Sequence, residues 1–230
     1  MSTTIPQRRM SAAEVLKRGT VMIVGMFALG FGIALCVQAD LGISPISTIA
    51  YTMHQIVPSV SLGISVFLQN TMFFVLTLVL LRRDFRLYQW LLLPFSLVFG
   101  LIVDLSEYLL RNLNPSAYGV RILLVLASCV VIGFGFSLIV TSGVSMDTNT
   151  AFVNAAVLRT GKPYHRLKLL TDVALVVLAS CIGLIFLHRV AGVREGTVIS
   201  ALLIGPIAGF FNRRFRWMER LFLPRGETGT

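Results

Sequence analysis

Gly30-Phe31-Gly32-Ile33-Ala34-Leu35 returns in the second half of the chain as Gly133-Phe134-Gly135-Phe136-Ser137-Leu138. Each copy leads through a Gly/Ser break into a short apolar stretch that opens with cap chemistry: Ser44-Pro45 in the first half, Asp147-Thr148 in the second. Ser or Asp at the N-cap, with Pro favoured at the first helical position, is how a helix starts. Held at the same offset, Ser47 falls on Thr150 and Gln69 on Asp172, and with one or two residues inserted Gly100 falls near Gly205. Break, cap and mid-span polar residue recur in register, which is the signature of a duplication.

The medium around the two copies follows from composition. Hydrophobic residues make up 56% of the 230 and charged residues only 13%, against roughly a quarter charged in a soluble domain. A chain with mean hydropathy +0.83 needs lipid as solvent. Crossing a hydrocarbon core takes about 20 helical residues, and six stretches qualify: 20–39, 62–81, 88–110, 120–141, 168–187 and 196–212. Two further stretches, 44–57 and 147–158, are too short and read as half-helices that dip into the membrane or lie along it. The expected fold is all-α, with a first membrane repeat over 20–112 and a second over 120–212. Three spans per half is an odd number, so the second half runs through the membrane opposite to the first. Inverted repeats whose broken helices meet near the midplane are recurrent among secondary transporters.

The net charge of +10 is compatible with nucleic acid only if some soluble part could form a binding face, and none is large enough. Lys and Arg instead crowd four segments, 1–19, 82–87, 159–168 and 213–230, leaving Arg111, Arg121, Arg189 and Arg194 for the opposite side. That bias predicts cytoplasmic N- and C-termini. The Val37-Gln38-Ala39 end of the first span resembles a signal-peptidase site, but the run is long for a leader and more spans follow, so it reads as a retained anchor. Cys36, Cys129 and Cys181 each sit in an apolar stretch, without the pairing of a disulfide or metal site. His54, His165 and His188 lie far apart, and no catalytic motif or phosphate loop occurs, so the reading is not an enzyme, with no cofactor.

An ionisable residue inside a span is costly and therefore a functional candidate. Those here are Asp40, Asp104, Glu107, Asp147 and Asp172, supported by Gln38, Gln69, Asn70, Asn149, Asn154 and Thr171. Asp172 reads either as a coupling site or as an interfacial partner of Lys168 one turn earlier, and Asp147 as a helix cap that can also bind. No Lys or Arg lies deep in a span, which favours a cation, a proton or a neutral polar solute, although half-helix N-termini also attract anions. The expectation is that Asp40, Ser44, Thr48, Gln69, Asn70, Asp147, Asn149 and Asn154 face a small solute while Asp172 or Asp104 takes up a coupling proton. The competing expectation is a scaffold whose polar residues are helix glue, each worth about 0.6 kcal/mol. Six spans are also compatible with a homodimer, and Gly205 and Gly209 form a GxxxG spacing that serves either a partner or packing within the chain.

At Ala39-Asp40-Leu41-Gly42-Ile43-Ser44-Pro45, at Arg159-Thr160-Gly161, and at Glu195-Gly196-Thr197-Val198-Ile199-Ser200-Ala201-Leu202-Leu203-Ile204-Gly205-Pro206 the chain resembles the YczE/YyaS/YitT-like family of bacterial inner-membrane proteins. That family commonly carries glycine, proline, arginine, aspartate, glycine where this chain has Ser145-Met146-Asp147-Thr148-Asn149, so only the aspartate carries over. The resemblance implies a polytopic protein of the bacterial inner membrane and names no substrate.

Overall fold

The computed structural model describes residues 12–85, 87–113, 115–143, 147–190 and 192–222. Residues 1–11 of the N-terminal segment and 223–230 of the tail, together with Arg86, Ser145 and Met146, lie outside the described residues. Eight α-helices and no strand occur among those described: α1 (Ala12–Ala39), α2 (Thr48–Ile56), α3 (Leu62–Leu81), α4 (Leu92–Leu110), α5 (Tyr118–Thr141), α6 (Thr148–Thr160), α7 (Tyr164–Leu187) and α8 (Glu195–Phe222). Six of them, all but α2 and α6, are long and apolar enough to cross a membrane, and their outward faces carry exposed Leu, Val, Ile and Phe. This is a multi-pass membrane protein. The helices overrun the apolar stretches at some ends, α1 through Lys17 and Arg18 and α7 from Tyr164, because a helix continues until a cap stops it and not where hydropathy falls.

Local chemistry sets the ends. The Ser61 hydroxyl accepts the Ile64 N–H at the start of α3. Asp147 accepts the Thr150 N–H at the start of α6. Gly161 adopts φ +67° and closes α6, a left-handed position that favours glycine.

The central contact is α1 on α5, and glycines permit it. A Cβ at Gly25 would lie 2.9 Å from the Gly135 carbonyl oxygen and one at Gly135 would lie 2.7 Å from that of Gly25, while one at Gly32 would meet Ile132 and the Ser128 oxygen. Numbers rise along one helix as they fall along the other, so α1 and α5 are antiparallel. The contact is also self-matching: at the repeat offset Gly25 corresponds to Ser128 and Gly32 to Gly135. Gly30 of α1 packs on Ile102 and Val103 of α4, and its counterpart Gly133 of α5 packs on Ile207 and Ala208 of α8. The short helices cross over between halves, α2 lying on α7 and α6 on α3.

Candidate functional site

With nine and thirteen residues, α2 and α6 are about 14 and 20 Å long, less than the roughly 30 Å of a hydrocarbon core. Both start at one level on α3. Gln69 Oε1 accepts the Ala50 N–H at 2.8 Å and its Nε2 donates to the Ile46 carbonyl, tying the beginning of α2. Its neighbour Asn70 accepts the Thr148 hydroxyl at 2.9 Å, tying the beginning of α6. These two residues stand near the middle of α3. From there α2 returns toward the first turn of α3, where His54 Nδ1 meets Val60 O at 2.7 Å. Helix α6 runs the other way, to where Arg159 donates to Leu80 O and Leu81 O. Each short helix thus begins deep in the bundle and climbs back to an opposite end.

Below the start of α6 a cavity of about 50 Å³ opens between α1, α3, α4 and α5. Its polar wall is Asn70, Ser96, Asp147 and Thr148; Met22, Met26, Phe95, Phe99 and Ile139 are among its apolar lining. One residue further along α6, Asn149 is 1% exposed, and neither amide atom has a hydrogen-bond partner among the described residues. A buried amide left so costs roughly 1–3 kcal/mol. Replacing Asn149 by valine is therefore expected to raise the unfolding temperature of the solute-free protein while weakening any solute that uses the amide. A valine variant that melts below wild type would show that the amide is already satisfied.

The other predicted residues are distributed more widely. Asp40, in a left-handed conformation (φ +49°) at the far end of α1, pairs with Arg121 at 3.4 Å and Arg194 at 3.9 Å. Ser44 and Thr48 are buried, their hydroxyls turned to Ser47 and to the Pro45 carbonyl. Asn154 is exposed on α6, and the Thr171 hydroxyl bonds back to Leu167 O. Asp104 accepts the Gly63 N–H at 2.6 Å and the Ser61 hydroxyl at 2.7 Å, holding α4 to the start of α3. Glu107 approaches His54 at 3.9 Å, and Asp172 is ion-paired with Lys168. Gly205 and Gly209 meet no atom within 4 Å where a Cβ would stand, so their spacing does not serve packing inside the chain. Of the predicted set, Asn70 and Asp147 share the cavity with Thr148. Ser96 and the two Met and two Phe of its wall carried no individual sequence signal, although Met22 and Met26 sit in repeat register with Val125 and Cys129.

A family of unknown function, DUF6198, matches residues 16–213. The chain belongs to that family. The match runs through all six membrane-crossing helices and both short ones. No curated protein and no solved structure matches the chain.

Proposed function

We propose that the protein is a small secondary transporter, not an enzyme, made of two inverted repeats in the bacterial inner membrane with both termini cytoplasmic. The observation that carries this reading is the unlike packing of two corresponding places in the halves. At the end bearing Met22, Met26 and Asp147 there is a cavity. At the corresponding place in the other repeat, Val125 and Cys129 are fully buried and cluster with Ala39 and Leu41. The Gly196 N–H bonds Leu41 O at 2.7 Å, the Ile43 N–H bonds Gly192 O at 3.0 Å and Arg194 reaches Asp40 O at 2.9 Å. Like halves packed differently at corresponding places are what a protein built for alternating access would show. The matched contacts of Gly30 and Gly133 and the antiparallel crossing of α1 and α5 support the inversion. The bias of Lys and Arg supports a cytoplasmic cavity mouth, and the likeness at 39–45, 159–161 and 195–206 to the YczE/YyaS/YitT-like proteins supports a bacterial inner membrane. Asp172 and Asp104 serve as acceptors for a coupling proton: protonation would release Lys168 from one and a donor, Ser61 or the Gly63 N–H, from the other.

The native Cys129 tests the reading. It corresponds to cavity-lining Met26 and is buried in the state described, its thiol 3.6 Å from the Ser200 hydroxyl. In a chain with Cys36→Ala and Cys181→Ser, a membrane-impermeant thiol reagent is expected to reach Cys129 from the Asp40 side during turnover, at a rate that solute changes. Met26→Cys is expected to react from the opposite side. Permanent protection of Cys129, with Met26→Cys freely labelled, would mark a static scaffold and sink the transporter reading.

A further inference from the structure

We propose that the cavity at the start of α6 binds a small organic ammonium ion, an assignment that rests on the transporter reading and names its substrate class. Charge decides it. A free helix N-terminus is equivalent to about half a positive charge and draws anions, but here a full carboxylate already sits at it as the cap. The Thr150 N–H is held by the Asp147 carboxylate and the Ala151 N–H by the Asp147 carbonyl. At the start of α2 the Ala50 N–H is held by Gln69. The full negative charge of Asp147 outweighs the half charge of the helix end, and among the described residues no Lys or Arg lines the cavity. Arg18, one turn before Met22, donates to Ser142 O at 3.4 Å and pairs with Glu14 at 3.5 Å, so its charge is met locally.

The rest of the wall suits the same ligand. Asn70 Oδ1 and the Ser96 and Thr148 hydroxyls are acceptors for ammonium N–H groups, and Phe95 and Phe99 put two aromatic rings, whose π-systems attract cations, in the lining. The methionines are polarisable and adaptable. Size sets the limit: at roughly 10–15 Å³ for each water-sized guest, 50 Å³ holds a molecule of about three to five non-hydrogen atoms, or the ammonium end of a longer one.

The test compares three probes of three or four non-hydrogen atoms, ethylammonium chloride, sodium acetate and acetamide, by thermal unfolding of the detergent-purified full chain and by uptake into proteoliposomes. Ethylammonium alone is expected to raise the unfolding temperature with dose, since a ligand that binds the native state stabilises it by mass action. Asp147→Asn preserves a good N-cap and is expected to weaken that binding about tenfold or more, the loss of a charge-assisted contact. Phe95→Leu, which leaves the cap untouched, is expected to cost about two- to fivefold and carries the test if the Asp147 variant fails to fold. Asp84→Asn, on the exposed Arg159 pair, is expected to change nothing. Stabilisation by acetate that grows in Asp147→Asn, or equal binding of acetamide and ethylammonium, would overturn the ammonium assignment and leave transport standing. Ethylammonium binding without uptake would keep the site and remove the transporter. No binding and no uptake of any probe would remove both.

Discussion

Replacing Gln69 by leucine is expected to remove most of the folded protein from detergent extracts. Leucine fits the space but leaves two backbone groups of the α2 segment, the Ile46 carbonyl and the Ala50 N–H, without the side chain that now bonds both. At that depth there is no bulk water to replace it. Each orphaned group costs roughly 1–3 kcal/mol, so the pair costs about 2–6 kcal/mol, a large part of a typical stability of about 5–15 kcal/mol. Gln69→Glu keeps an acceptor for Ala50 but loses the donor for Ile46, and is expected to fall between leucine and wild type. Asn70→Leu breaks a single side-chain bond to Thr148 and is expected to cost about 1 kcal/mol. Size-exclusion profiles and unfolding temperatures of the three variants would reveal this order. A leucine variant as stable as wild type would mean that α2 does not depend on α3 for its hydrogen bonds.

Alanine at Gly63 and alanine at Gly205 are expected to act in opposite directions. A Cβ on Gly63 would stand 2.0 Å from the Gly100 carbonyl oxygen and 2.6 Å from the Asp104 carboxyl carbon. Neither the backbone nor the carboxylate that bonds Gly63 N–H can yield without parting α3 from α4. Overpacking of this kind costs about 1–3 kcal/mol or more, and here it also disrupts the Asp104 contacts. Gly205 faces open space, so alanine there meets no obstacle and gains up to about 1 kcal/mol in helix propensity. Unfolding temperatures of the two variants read the difference. Equal effects would mean that α3 and α4 are not in close contact at Gly63.

Much of the fold is legible in the chain itself, for stated physical reasons. A hydrocarbon core imposes a length, so six apolar stretches can be counted without knowing how they pack, and all six appear as helices. Asp147 caps α6 as its residue type implies, because a helix start is decided within four residues, whereas Ser44 precedes the first short helix without making a side-chain cap bond. There Pro45–Ser47 form a 3-10 turn before α2 begins at Thr48.

The candidate site was less legible. Hydropathy singled out the intramembrane acids but could not tell which of them share a space, since that depends on residues far apart in the chain. Asp40, Asp104 and Asp172 are engaged by Arg121 and Arg194, by Ser61 and Gly63, and by Lys168. Among these partners only Lys168 lies within a helical turn in sequence. Phe95, Phe99, Met22 and Met26 read as ordinary apolar residues until α1 and α4 are set beside the start of α6.

The sequence by itself determined the solvent, the six stretches long enough to cross it and the approximate starts of the two short helices, because each depends on local composition or on spacing along the chain. Only the tertiary structure decided that Gln69 and Asn70 hold the starts of both short helices at one depth, and that a cavity lies beside Met22 and Met26 while Val125 and Cys129 are packed with Ala39 and Leu41. Those outcomes rest on contacts between segments distant in the chain, such as Gly63 on Gly100 and Thr148 on Asn70, which take shape only when the helices meet.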